Sequence, residues 1–255
     1  MRFLIKLTLI ALMVIALVMP GAAEAADSGA ASKTVLISGA NRGLGLEFAR
    51  QYAKAGWSVI GTARTPEKAS DLKALGVRIV QLDVADAESV ARLAAGLKDH
   101  PIDLLINNAG MANRGDQFET VDFESVERVL AVNTVGPMRV TQALLPNLRL
   151  GSTKQIVSIS SGLGSIENNT GGNFIGYRES KAALNMFNRT LAAELSDEGF
   201  VCVVMSPGWV RTDMGGPEAT LSPAESITGM RAVIDGLEPE DNGSFRKYDG
   251  STVPW

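Results

Sequence analysis

From residue 33 onward, short apolar runs alternate with longer stretches whose apolar residues recur every three or four positions. The runs at 34–38, 58–62, 77–82, 102–107, 155–160 and 200–205 predict six buried strands, with a short last strand near Phe245. The periodic stretches at 44–55, 123–148, 177–195 and 223–236 predict helices. Gly56 ends the first of these, Pro66 opens another after the second strand, and Asp86 is placed to cap one after the third. The stretch at 123–148 is expected to bend at Gly136-Pro137. Strands alternating with helices at this spacing predict βαβ units and a parallel sheet covered on both faces. Right-handed crossovers then give the doubly wound α/β fold, with a sheet of about seven strands.

Composition narrows the classes of function. The chain has 255 residues, 45% of them apolar and 20% charged, which suits one domain with a full core. A formal net charge of −4 supplies no basic face for nucleic acid. The one cysteine, Cys202, rules out an internal disulfide and sits in an apolar run, where it reads as a small core hydrophobe. With His100 the only histidine, a histidine-ligated metal site and a Ser-His triad are both poor fits, and no metal site is expected.

The first residues follow a different pattern. Arg2 and Lys6 introduce an apolar stretch over 7–19, followed by Pro20, Gly21 and Ala23-Glu24-Ala25. A basic start, a short apolar core and Ala-x-Ala make a secretory signal pattern. Residues 1–25 are expected to be a signal peptide or a retained membrane anchor, 26–32 a linker, and 33–255 the folded domain. Export to the periplasm or outside the cell would follow, with membrane contact only through residues 1–20. A translation start at Met19 would instead give a cytoplasmic protein. Both readings stay open.

Two motifs carry chemistry. Gly39, Gly43 and Gly45 follow the first strand and open the first helix, in Ser38-Gly-Ala-Asn-Arg-Gly-Leu-Gly45. Glycines there permit a tight turn and close approach to a pyrophosphate, and the helix N-terminus adds amide hydrogens. Gly39, Asn41, Arg42, Gly43, Leu44 and Gly45 are therefore candidate cofactor contacts. Far downstream, Tyr177 and Lys181 stand four residues apart and share one helix face. An ammonium beside a phenol is expected to lower its pKa from about 10, so that it can exchange a proton with a carbonyl or an alcohol. The end of the second strand reads Gly61-Thr-Ala-Arg64, without the acid that holds an NAD ribose. Arg64, with Arg42, is expected to pair with a 2′-phosphate, which points to NADP(H).

These motifs, with others in the same order, resemble those of the short-chain dehydrogenase/reductase family from Lys33 to the C-terminus. Asn107-Asn-Ala-Gly110 follows the fourth strand, Asn133 lies in the long helix, and Ile159-Ser-Ser161 closes the fifth strand. Ser206-Pro-Gly-Trp-Val-Arg-Thr-Asp213 is similar to the loop that closes over nicotinamide. Residues 161–170, 177–186 and 248–255 are similar to the C-factor-like and sniffer-like carbonyl reductases. The serine-to-tyrosine gap of 16 positions is longer than is common in the wider family.

The resemblance implies a Rossmann domain that interconverts a carbonyl and an alcohol with NADP(H). It assigns proton transfer to Tyr177 and stabilisation of the tyrosinate, with ribose binding, to Lys181. Asn133 would fix a water on the proton path. Ser161 would hydrogen-bond the substrate oxygen, since strand alternation sends only one of Ser160 and Ser161 into the cleft. Asp83 and Val84 would meet the adenine. Asn108, Ala109, Gly110, Pro207, Gly208, Val210 and Thr212 would complete the cofactor site. A homodimer or homotetramer is expected by the same likeness. The region after Met214 suggests a small mobile lid, with Trp209 either at its mouth or in packing. Part of this group is named for signalling, so an exported signalling protein that binds the nucleotide with little turnover is the alternative.

Overall fold

The computed structural model describes residues 32–113 and 117–255. The expected leader, the Met19 alternative and all of the expected linker except Ser32 lie outside these residues. Seven strands form one parallel sheet: β1 (Thr34–Ile37), β2 (Ser58–Ala63), β3 (Arg78–Gln81), β4 (Leu104–Asn107), β5 (Gln155–Ile159), β6 (Val201–Ser206) and β7 (Phe245–Lys247). Their order is β3-β2-β1-β4-β5-β6-β7, with every pair parallel. The strand order reverses between β1 and β4, where a doubly wound fold opens its ligand crevice at the carboxyl ends of the strands.

The central strands are apolar throughout because both faces are covered. Successive side chains of β1 alternate: Val35 and Ile37 join one core, and Leu36 joins the other. The first core is closed by Phe48 and Tyr52 of α1 (Gly43–Lys54) and by Ile227, Met230 and Ile234 of α7 (Pro223–Asp235). The second is closed by Val90 and Leu93 of α3 (Ala87–Gly96), by Val140, Leu144 and Leu148 of α5 (Gly136–Leu150), and by Ala192 of α6 (Tyr177–Glu194). Full burial of each large side chain contributes about 1.5–3 kcal/mol. Cys202 lies in this second core, and burial pushes its thiol up to about 12.

Two local expectations are corrected. The segment opened by Pro66 makes only a 3-10 turn (Pro66–Lys68) and the four-residue α2 (Ser70–Lys73). Its buried residues are the small Ala69 and Leu72, too little apolar surface to hold a longer helix. The bend expected at Gly136-Pro137 is a π turn one step earlier, Ala131–Val135, between α4 (Phe123–Leu130) and α5. Pro137 has no N–H to offer the Asn133 carbonyl, so one regular helical hydrogen bond is lost at this point. Gly136 is needed beside it, because a Cβ there would lie 2.8 Å from the Val84 side chain.

Candidate active site

The glycine turn is shaped by close contacts at the end of β1. Gly39 has φ +66° and Gly43 has φ +56°, conformations that favour glycine. A Cβ on Gly45 would collide with the Gly39 carbonyl oxygen and with Asn108 Nδ2. Asn108 Nδ2 instead donates to the Ser38 and Gly39 carbonyls, at 2.9 and 3.1 Å. The Ser38 hydroxyl accepts from the Asn108 and Ala109 amides at 2.9 and 3.0 Å. The turn and the Asn107–Gly110 segment are thus one hydrogen-bonded unit. Helix α1 begins there with no side-chain cap and no acidic residue in its first turn. Its free first-turn amides and dipole suit a pyrophosphate, so the residues present fit a dinucleotide.

Successive residues leaving β5 meet one face of α6. The Ile159 carbonyl accepts from Lys181 Nζ at 2.8 Å. The Ser160 hydroxyl donates to Asn185 Oδ1 at 2.7 Å. Ser161 hydrogen-bonds the side chain of Tyr177. Of the two serines, Ser160 turns to Asn185 and Ser161 to Tyr177, two positions on the same helix. Tyr177 is almost wholly buried, with its hydroxyl 4.0 Å from Met214 Sδ.

The electrostatics differ from the sequence-based expectation. Burial pushes the Tyr177 phenol above its ordinary value, and the Ser161 hydrogen bond pulls against that. The Lys181 amine lies 5.8 Å over the ring centroid and donates to the Ile159 carbonyl. Burial brings Lys181 itself down to about 8. The expected lowering of Tyr177 by the neighbouring ammonium is therefore reversed in this structure by desolvation.

Asn133, on the π turn, is fully buried. Its Oδ1 accepts from the Met111 amide at 2.9 Å, and its Nδ2 donates to the Met111 carbonyl at 2.8 Å and the Ser180 hydroxyl at 3.0 Å. A Cβ on Gly110 would stand 3.4 Å from Asn133 Oδ1 and 3.8 Å from Lys181 Nζ. The segment after β4, the π turn and α6 therefore meet at one point.

The rim is more open. Arg64 is exposed just beyond β2, whose Thr62 carbonyl and hydroxyl accept from the Ala40 and Gly39 amides at 2.8 and 3.2 Å. Arg42 Nη1 pairs with Asp213 at 2.9 Å, both side chains well exposed. Asn41 is exposed, and Leu44 is half-buried. Asp83 accepts from the Ala85 amide at 3.0 Å, and Val84 is buried. In the loop after β6, Gly208 has φ +78°, Pro207 accepts from the Ser226 hydroxyl at 2.7 Å, and Val210 is bridged to Leu221. Thr212 accepts from the Gly215 amide at 3.1 Å. The half-exposed Trp209 donates to the Gly215 carbonyl at 2.9 Å, so it folds back on its own loop.

Residues 33–220 match the family described as short chain dehydrogenase. The chain belongs to the short-chain dehydrogenase family. It is similar to C-signal from Myxococcus xanthus, 48% identical over 155 residues that make up 61% of this chain and 93% of that protein. A crystal structure of NADPH-bound carbonyl reductase from chicken fatty liver is 33% identical, with TM-score 0.82, over 88% of this chain and 99% of that one. The carbonyl reductase Sniffer of D. melanogaster is 32% identical, with TM-score 0.82, over 88% of this chain and 100% of that one. The short-chain dehydrogenases are oxidoreductases, and the seven-stranded parallel sheet here is their Rossmann-like fold.

Within this short-chain dehydrogenase, sequence reasoning missed Ser180, Asn185 and Met214 as site neighbours. Ser180 and Asn185 lie on the buried face of α6 with Tyr177 and Lys181, so helical spacing from Tyr177 was the available signal. Met214 had no local signal, because its approach to Tyr177 depends on how the loop after β6 folds back.

Proposed function

We propose that this protein interconverts a carbonyl and an alcohol with NADP(H), using Tyr177 as general acid and base. The observation that carries the proposal is the meeting of Tyr177, Lys181 and Ser161 at the carboxyl end of the sheet, beside the glycine turn. When bound, the nicotinamide supplies or accepts hydride. Tyr177 delivers its hydroxyl proton to the substrate oxygen in reduction and takes it back in oxidation. Burial that raises its pKa keeps that proton in place at neutral pH, which suits the reducing direction. Ser161 donates to the substrate oxygen as negative charge develops there. Lys181, with a pKa near 8, can hold or release a proton close to working pH and lies over the Tyr177 ring. Asn133 fixes the Met111 backbone and, through Ser180, the first turn of α6.

Arg64 and Arg42 support the choice of NADP(H) over NAD(H), because they present exposed guanidinium groups near the turn and no carboxylate ends β2. The name of the chicken relative, an NADPH-bound carbonyl reductase, agrees with both the cofactor and the substrate class. The signalling alternative draws on the leader pattern and the likeness to C-signal, whereas the converged side chains favour turnover.

The test uses protein from Ser32 onward. NADPH and NADH oxidation are followed by absorbance across aldehydes, ketones and quinones, with binding of each nucleotide measured separately. Turnover preferring NADPH is expected. NADPH binding without turnover on any carbonyl would move the reading to the signalling alternative, and no nucleotide binding by folded protein would end it.

A further inference from the structure

We propose that Asn185 is a positioning residue for Ser161. The inference rests on the catalytic reading above and adds to it a residue outside the tyrosine-lysine-serine group. Asn185 sits four residues after Lys181 and eight after Tyr177, on the same face of α6. It is buried, and both ends of its amide are engaged. Oδ1 accepts from the Ser160 hydroxyl at 2.7 Å, and Nδ2 donates to the Gly164 carbonyl at 3.1 Å. Those partners flank the segment that begins with Ser161 and turns through Gly162–Gly164. One side chain thus clamps the segment on both sides of the serine that faces Tyr177.

The rest of the packing makes the clamp close. A Cβ on Gly164 would lie 2.8 Å from Lys181 Cβ and 3.2 Å from Asn185 Nδ2, so the segment lies directly on α6. The Gly162 amide donates to the Ser206 hydroxyl at 3.1 Å, which holds the segment to the end of β6. The Leu163 amide donates to Ser161 Oγ at 3.1 Å and directs that oxygen. Ser161 therefore has its hydroxyl oriented locally and its position along the helix set by Asn185. Because the same helix carries Tyr177, the Ser161–Tyr177 distance is fixed by a rigid element rather than by the loop. A small displacement of an oriented group from its reactive geometry can cost about a hundredfold in rate.

The experiment compares wild type, Asn185→Ala and Ser160→Ala, the last removing one arm of the clamp and leaving the other. NADPH binding, kcat, KM and the pH dependence of kcat are measured on a carbonyl that wild type reduces. With Asn185→Ala, kcat is expected to fall about tenfold to a hundredfold while NADPH affinity stays within about twofold. Ser160→Ala is expected to lose about threefold to tenfold, the effect of one buried hydrogen bond. The Ser161 hydrogen bond lowers the Tyr177 pKa, so its weakening moves the alkaline limb of the kcat profile to higher pH in both variants. Unchanged kcat and an unmoved limb in folded Asn185→Ala would overturn the inference, as would a loss confined to NADPH affinity. If Asn185→Ala does not fold, Ser160→Ala decides by the same readouts. A wild type that turns over nothing defeats the proposed function itself, and is distinguished from these results by occurring before any substitution.

Discussion

The reacting pocket and the nucleotide rim are built in opposite ways. Tyr177, Lys181 and Asn133 are buried, and each is tied to a segment distant in sequence through backbone atoms or packed helix faces. Arg42 and Arg64 stand at the surface, and Arg42 pairs with the exposed Asp213. Burial lets small geometric constraints act on charge and proton affinity, since water cannot screen them. Exposure leaves the rim with interactions worth about 0–1 kcal/mol until a ligand desolvates them. The pocket is therefore expected to govern rate, and the rim to govern which nucleotide enters.

The sharpest way to break this contrast is Tyr177→Phe. It removes the proton donor without changing shape, and kcat should fall about a hundredfold to ten-thousandfold with NADPH affinity preserved, as single-turnover assays would read. A loss of NADPH affinity instead would place Tyr177 on the nucleotide side of the comparison.

Next in size is the effect of pH on stability through Lys181. Its folded pKa of about 8 lies below its ordinary 10.5, so between those values the unfolded chain binds more protons. The penalty for burying the charge is full below pH 8 and is relieved as pH rises toward 10.5. Relative to Lys181→Met, wild type should gain about 3 kcal/mol in denaturant unfolding across this window, and a flat difference would refute the buried charge.

Rim substitutions should act more weakly and differently. Arg64→Asp should weaken NADPH binding about tenfold to a hundredfold while sparing NADH, with kcat at saturation little changed. Binding titrations with both nucleotides check this, and equal loss of both would remove Arg64 from cofactor choice. Asp213→Asn should change unfolding stability by less than about 0.5 kcal/mol, because its pair with Arg42 is open to solvent. A larger change by thermal unfolding would show the rim to be more tightly built than its exposure implies.

Much of this organisation was legible in the sequence. Apolar alternation placed the strands within a residue or two, and the glycines at 39, 43 and 45 marked the turn because their spacing follows β1 directly. Tyr177 and Lys181 could be paired by helical spacing. The Tyr177 pKa direction was not legible. Spacing showed that a lysine was near, but not that Ile159 takes its hydrogen bond or that burial dominates. The π turn was displaced from the expected bend because the sequence marks the residue without a donor, Pro137. The distortion arises at the carbonyl left without that donor. The links from Asn133 to Met111 and Asn185 to Gly164 join residues 22 and 21 positions apart, where no local periodicity reports contact.

The pairing of Ile159, Ser160 and Ser161 with one face of α6 also bears on how such a chain can change over evolutionary time. One residue inserted between Tyr177 and Asn185 would rotate the later partners by about 100° and part them from β5. The segment between Ser165 and Gly176 is not threaded between β5 and α6 in this way; it meets the helix at its first turn, where Arg178 Nε donates to the Gly172 and Asn173 carbonyls at 3.0 and 2.9 Å. Its length can drift while the reacting groups keep their places, and the 16-position gap between Ser161 and Tyr177 is one such length.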